Sequence, residues 1–254
     1  MGGGGLMLVL GFETSTPVSS VALANSQGVL GSIVVARGRG HVEFLVPAMR
    51  SLLELTKTDL REVGGVAAGI GPGLFTSMRV GIVTAKTVAQ MLEVPVVGVS
   101  SLDLLAAGVR DTSSVICACI DARRGQVFAS MYRRAPVGVE RLDEYRAWDP
   151  SDLADELQSR GQPVLMVGDG VSAYPDQLAG LGSVAPPDRA FPSAAVLVEL
   201  ASPRLESGEG VVPALIEPLY VRKSDAEIKW ADRGVTIERP MRVQVSKRAR
   251  GEAG

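Results

Sequence analysis

At 254 residues the chain can bury a sizeable core, as one large domain or as two lobes. Its 26 Lys and Arg nearly balance 28 Asp and Glu, so no global basic field points to nucleic acid, and no apolar run is long enough to span a bilayer. A composition rich in Gly, Ala, Val and Leu with few aromatics favours an α/β protein over a disordered or fibrous one.

The start, MGGGGLMLVLGF, lacks the charged residues and small-residue cleavage site of a secretory signal. Leu6 also breaks the myristoylation pattern, and residues 2–5 read as a flexible lead-in. LMLVLGFET is a short apolar strand ending in polar residues. SSVALANS and GVLGSIVVAR read as a hairpin across Gln27-Gly28. From His41, apolar residues Phe44, Leu45, Ala48, Met49, Leu52 and Leu53 recur at helical spacing. VGGVAAGIGPG is a strand running into a Gly-rich turn, where Gly71 and Gly73 allow tight turning and close approach. Thr76 is placed to cap the helix that follows, on which Gly81, Thr84 and Ala85 leave one face nearly flat. VPVVGVS and SLDLLAAGV then give a strand and a helix.

Near residue 112 the order starts again. SSVICACIDARRG, QVFASMYRR and VGVERLDEYRAW read as strands, PSDLADELQSRG as a helix, PVLMVGDG as a strand, and SAYPDQLAG and SAAVLVELASPRL as helices. Three strands, helix, strand, helix occur twice, a repeat of architecture rather than of residues, and parallel strands with crossover helices build it naturally. Cys117 and Cys119, the only cysteines, share one face of their strand and read as small buried hydrophobes in a reducing cytoplasm. A single histidine and two cysteines exclude Cys/His zinc patterns. From residue 211 prolines interrupt the chain before a short last helix ending at Trp230. The tail past Arg233, with Arg239, Arg242, Lys247, Arg248 and Arg250, reads as mobile, either a solvated terminus or a basic arm that touches RNA.

Four places could carry chemistry. Glu13-Thr14-Ser15, an acid and two hydroxyls at a strand end, could hold a hydrated metal and a phosphate, or form a hydroxyl-rich turn before Pro17. The turn at Gly71 and Gly73 with its helix start could cradle a phosphate or present the helix to a protein. Asp121-Ala122-Arg123-Arg124-Gly125 could clamp a phosphate or carboxylate, or be a polar β-turn. Gly168-Asp169-Gly170 suits close approach to a ligand. His41 at a helix start reads as a cap or packed polar residue rather than a base, and nothing resembles a nucleophile elbow.

In their order, LGFETST, His41 with Leu45 and Pro47, GPGLFTSMRVGIVTAK, VPVVGVSSLDLLA, DARRGQVF, VGDG and PLYVRKSDAE resemble the TsaB (YeaZ) family from about Leu8 to Trp230. The GPG and DARRGQVF segments together carry most of that specificity. The resemblance implies a two-lobed, actin-like ATPase (ribonuclease H-like) α/β fold, each lobe a mixed sheet with crossover helices. The lobes would be 6–110 and 111–210, followed by a segment 211–232 packed back toward the first lobe and a basic tail 233–254. It implies a cytoplasmic, noncatalytic partner of the transferase TsaD in tRNA threonylcarbamoyladenosine synthesis, working with the ATPase TsaE. The chain would be a homodimer when alone and would meet tRNA only within the complex. TsaD holds its metal through two histidines whose equivalents here are Ser101 and Leu105, and a leucine cannot ligate a metal. Glu13 replaces the usual, shorter Asp, and Ser77 makes the helix start bulkier, which argues against a nucleotide site.

The implied partner surface comprises His41, Phe44, Leu45, Met49 and Leu53 on one helix and Phe75, Met78, Arg79, Gly81, Ile82, Ala85 and Lys86 on the other. Helices of two chains would pair there as a four-helix arrangement about a two-fold axis. No catalytic residue, metal or cofactor of its own is expected, with a nucleotide at the complex interface as the one exception. The candidate nucleotide contacts are Glu13, Thr14, Ser15, Gly71, Gly73 and Asp121. The alternative is a small-molecule kinase or ATPase using Glu13, Thr14, Gly71, Asp121 and Gly168.

Overall fold

A computed structural model describes residues 6–222 apart from 37, 39 and 137, with the side chains of residues 41 and 42 also left aside. The lead-in over 2–5, the His41 side chain, the helix ending at Trp230 and the basic tail therefore lie outside the described residues.

The elements follow in order β1 (Leu8–Glu13), β2 (Ser19–Asn25), β3 (Gly28–Val35), α1 (His41–Thr56), β4 (Val63–Gly69), α2 (Phe75–Leu92), β5 (Val96–Val99) and α3 (Ser101–Gly108). Then come β6 (Val115–Arg123), β7 (Gln126–Arg134), β8 (Val139–Arg141), β9 (Arg146–Trp148), α4 (Pro150–Ser159), β10 (Val164–Val167), α5 (Asp169–Ala173), α6 (Pro175–Leu178), β11 (Ser183–Val184) and α7 (Ala194–Glu206).

The first sheet runs β3-β2-β1-β4-β5, with β1 to β3 antiparallel and β4 and β5 parallel to β1. The second runs β11-β10-β6-β7-β8, with the same rule around β6. Counted from the central strand, the two orders are identical, which confirms the doubled architecture and the α/β fold expected from the sequence. The central strands are covered on both faces, so they read as apolar runs rather than alternations.

The first sheet carries α1 and α2 on one face, through Leu45, Met49, Leu52, Met78, Ile82 and Ala85. Its other face is covered by α7, through Leu197, Val198, Ala201 and Leu205. Conversely α3, which follows the first sheet in sequence, packs Leu102, Leu105 and Ala106 on Ile116, Ala118, Ile120 and Tyr132 of the second. Each half thus covers a face of the other, and each buried leucine contributes about 2 kcal/mol to that exchange.

Three details depart from the sequence reading. Thr76 is not the cap of α2; Leu74 is, in extended conformation, because its N–H is drawn to the Ser15 carbonyl at 2.7 Å, and the cap lies two residues earlier. The run 139–148 holds two short strands, because the Asp143 carboxylate takes the Met131 N–H and the Ser130 hydroxyl at 2.8 Å each, where a backbone carbonyl would continue the ladder. SAYPDQLAG divides into α5 and α6 at Tyr174, the residue before Pro175, which is biased away from helix. The helix expected from Pro150 is α4, and Asp149 caps it by accepting from Ser151 N–H.

Cys117 and Cys119 are free and buried on one face of β6. Burial pushes the Cys117 thiol up to about 12 and raises Cys119 as well, which keeps both as inert thiols.

Candidate functional site

Glu13, Thr14, Ser15, Gly71 and Gly73 come together at the end of β1, and all of their polar groups turn inward. Glu13 is 0% exposed. One carboxylate oxygen accepts the Ser15 N–H at 2.6 Å and the other accepts the Ser101 hydroxyl at 3.2 Å. Burial raises its pKa, against the opposing pull of the hydrogen bonds from Ser15 and Ser101. The Thr14 hydroxyl donates to the Ser77 carbonyl at 2.6 Å and accepts the Gly81 N–H at 3.1 Å, bridging one turn of α2. Gly81 is small because that hydroxyl must reach it: a Cβ there would meet Thr14 Oγ1 at 2.5 Å.

The turn after β4 closes over this acid. Gly71 (φ 90) precedes Pro72 through a cis peptide, and the Gly71 carbonyl accepts the Ser101 N–H at 2.8 Å. A Cβ on Gly73 would overlap the Ser15 carbonyl oxygen, and one on Gly69 would overlap the Glu13 carboxylate. The N–H of Leu74 is spent on Ser15. This arrangement does not fit a bound phosphate, because the chain's own atoms fill the space that the glycines open. Nor does it fit the metal of the transferase, since Ser101 is committed to Glu13 and Leu105 is buried in the second core. The Ser15 hydroxyl is the one polar side-chain atom of this knot that has no hydrogen-bond partner among the described residues.

Asp121 is not part of that cluster. It lies at the end of β6, where it accepts the Arg123 N–H at 2.8 Å and pairs with the Arg123 guanidinium at 3.0 Å. Its own N–H goes to Asp169 at 3.0 Å. Burial, with the Asp121 charge beside it, holds Asp169 up at about 6, although the Asp121 amide pulls the other way. Arg123, Arg124 and Gly125 all take positive φ in the tight hairpin turn, so the DARRG segment is a polar β-turn.

The residues expected at a partner surface divide by burial within the chain. Leu45, Met49, Leu53, Met78, Gly81, Ile82 and Ala85 are buried beneath α1 and α2, where they cover the chain's own sheet. Phe44 and Lys86 are half-buried, and the Lys86 ammonium reaches the Ala214 carbonyl at 3.4 Å. Phe75 and Arg79 do face outward, with the guanidinium over the Phe75 ring at 5.2 Å.

The outward stripe of α2 is Phe75 (42% exposed), Arg79, Val83 (58%) and Met91 (61%). Val46 and Leu55 are exposed on α1, and Val212, Leu215 and Tyr220 on the segment after α7. Tyr220 stacks on Phe75 with centroids 5.5 Å apart. The sequence reading missed Val83, Met91, Leu215 and Tyr220. Their signal was present: Phe75, Val83 and Met91 recur at eight-residue spacing, a second apolar stripe beside the core one.

Residues 24–230 match the family model described as TsaD, tRNA N6-adenosine threonylcarbamoyltransferase. The tRNA threonylcarbamoyladenosine biosynthesis protein TsaB of Escherichia coli is 30% identical over 224 residues, 87% of this chain and 96% of that protein. The TsaB of Bacillus subtilis is 29% identical over 230 residues, 89% and 99% of the two chains. The solved structure of YeaZ from Pseudomonas aeruginosa superposes with a TM-score of 0.75 at 27% identity, covering 85% of this chain and all of that one. No helix among the described residues is long and apolar enough to cross a membrane. The chain belongs to the TsaB (YeaZ) family of tRNA threonylcarbamoyladenosine biosynthesis proteins.

Proposed function

We propose that this chain is a noncatalytic subunit that docks on TsaD through the outward faces of α1 and α2, and so supports threonylcarbamoylation of tRNA in the cytoplasm together with TsaE. One observation carries the reading: the acid, hydroxyls and glycines at the end of β1 are consumed by internal packing, while Phe75, Val83 and Met91 of α2 are turned to water. Exposed apolar side chains in a row along one helix suit a partner. The match of this chain to the TsaD model means the two would share a fold, so pairing of like helices about a pseudo-two-fold axis is geometrically natural. In the absence of TsaD the same stripe would pair two copies of this chain. A nucleotide, if one is used, would sit at the complex interface rather than in the filled strand end.

The test is association of the purified chain with TsaD. Val83→Asp places a charge in the stripe without touching the core, and we expect it to weaken binding at least 100-fold while the melting temperature stays unchanged. Wild-type protein that shows no complex at micromolar concentrations, with and without nucleotide, refutes the reading.

A further inference from the structure

The segment after α7 crosses the end of the molecule from one sheet to the other. Its near end is firmly set. Val211 exchanges both backbone hydrogen bonds with Val96 of the edge strand β5, each 2.9 Å. Ile216 is buried in the first core and covers Gly98. Its far end is held differently. The Leu219 N–H donates to the Ile70 carbonyl at 2.8 Å, and Tyr220 leans on Phe75. Val221 touches the core of the second sheet. The Arg222 guanidinium donates to Gln126 Oε1 at 2.8 Å and to the Ala122 carbonyl at 3.3 Å, and lies 6.0 Å from the centre of the Phe128 ring.

We infer that residues 217–222 form a lid over the shared end of the two sheets, hinged after the Ile216 anchor and fastened by the Tyr220–Phe75 stack and the Arg222–Gln126 clasp. The asymmetry of the two ends is the reason. The near end combines a two-way backbone bridge with a buried isoleucine. Among the described residues the far end has a single backbone hydrogen bond from Leu219, a ring contact at the surface, the half-buried Val221 and one half-buried arginine on two neutral acceptors. Partial opening therefore starts at Arg222 and runs back to Pro218, leaving the rest of the fold intact.

Opening frees the Ile70 carbonyl beside the turn at 71–74 and the backbone of the β6–β7 hairpin in one motion. A ligand that reaches these strand ends would bind the open form, and its apparent affinity would scale with the open fraction. The inference does not depend on what α2 docks against.

Amide hydrogen exchange on the full chain tests it, because the Leu219 N–H reports the lid, Val211 the anchor, and Leu10 and Cys117 the two cores. In a Tyr220→Ala, Arg222→Ala double variant we expect Leu219 to exchange at least tenfold faster, with Val211, Leu10 and Cys117 unchanged. Arg222→Lys, which keeps the charge but loses the fork, should fall between the two. Unchanged exchange at Leu219 overturns the proposal, since the fasteners would not hold the lid. Equal acceleration at all four amides overturns it as well, since the segment would be ordinary core that opens only by global unfolding.

Discussion

The central strands of the two sheets each carry an acid near their C-terminal ends, Glu13 in β1 and Asp121 in β6, and the two acids meet different fates. After β1, Glu13 is followed by hydroxyl residues, and the chain folds the turn at 71–74 and the start of α2 down onto them until every one is buried. After β6, Asp121 is followed by Ala122, two arginines and a glycine, and the strand turns back at once into β7. There the exposed Arg123 lies over the acid as its ion-pair partner, and only 11% of the Asp121 side chain stays open to water. A shared topology therefore fixes where an acid sits but not whether it can meet a ligand. Small hydroxyl residues and nearby glycines let the first site collapse on itself, whereas at the second the bulky charged residues of the turn stay exposed and cover the acid with a guanidinium.

If collapse is the right description, the glycines of the first site should be the least replaceable residues of the pair. Gly73→Ala drives a Cβ into the Ser15 carbonyl, and the backbone there cannot give without breaking the Leu74–Ser15 bond. We expect a loss of about 3 kcal/mol, read as a lowered denaturant midpoint. Thr14→Val comes next. It keeps the shape but leaves the Ser77 carbonyl and the Gly81 N–H without their bridge, at a cost of about 2 kcal/mol. Thr14→Ser, which retains the hydroxyl, should recover most of that. If the valine variant is as stable as wild type, the hydroxyl is not structural and the strand end is free for a ligand.

The acids also separate the halves by pH. Both Glu13 and Asp169 have folded pKa values raised above their unfolded ones. Each therefore binds more protons in the fold, and the stability it contributes is full below the unfolded value and lost as pH rises through the folded one. For Asp169 that window runs from about pH 4 to about pH 6 and is worth roughly 3 kcal/mol. Asp169→Asn should flatten it. Glu13→Gln should remove a second decline that begins above about pH 4.5. Stability measured by urea titration across this range, variant by variant, tells the two apart. A wild-type profile that rises with pH over this window would contradict both.

Much of this was legible in the sequence, and the rest was not for physical reasons. Helical and strand spacing located the elements of both sheets except the two-residue edge strand β11, and the repeated order pointed to the doubled fold. The residues Glu13, Thr14 and Ser15 were recognisable as a cluster, but their enclosure depends on Ser101 and on the turn at 71–74, which are brought up by tertiary packing alone. On α2, Met78, Ile82 and Ala85 were placed at a partner face by the family resemblance, and periodicity could not correct this, since it reports an apolar stripe without saying what covers it. The outward stripe had the same kind of signal, and only the sheet's cover on Met78, Ile82 and Ala85 tells the two stripes apart. The exchange of α3 and α7 between the sheets left no local trace at all, since an amphipathic helix does not encode which sheet it will meet.

The weakest expected effect is the most discriminating. Gly125, in the hairpin turn of the second half, has φ 73 and no atom within 4 Å of a would-be Cβ. Gly125→Ala therefore meets only the intrinsic penalty of the left-handed region, about 1–2 kcal/mol, reduced by the entropy that alanine removes from the unfolded chain. A net loss of about 1 kcal/mol, seen as a shifted urea midpoint with unchanged slope, is what an open turn predicts. The two glycines then differ because one is conformational and the other is steric. Were Gly125→Ala to cost as much as Gly73→Ala, the second strand end would be packed as closely as the first, and the contrast between a filled site and an open one would fail.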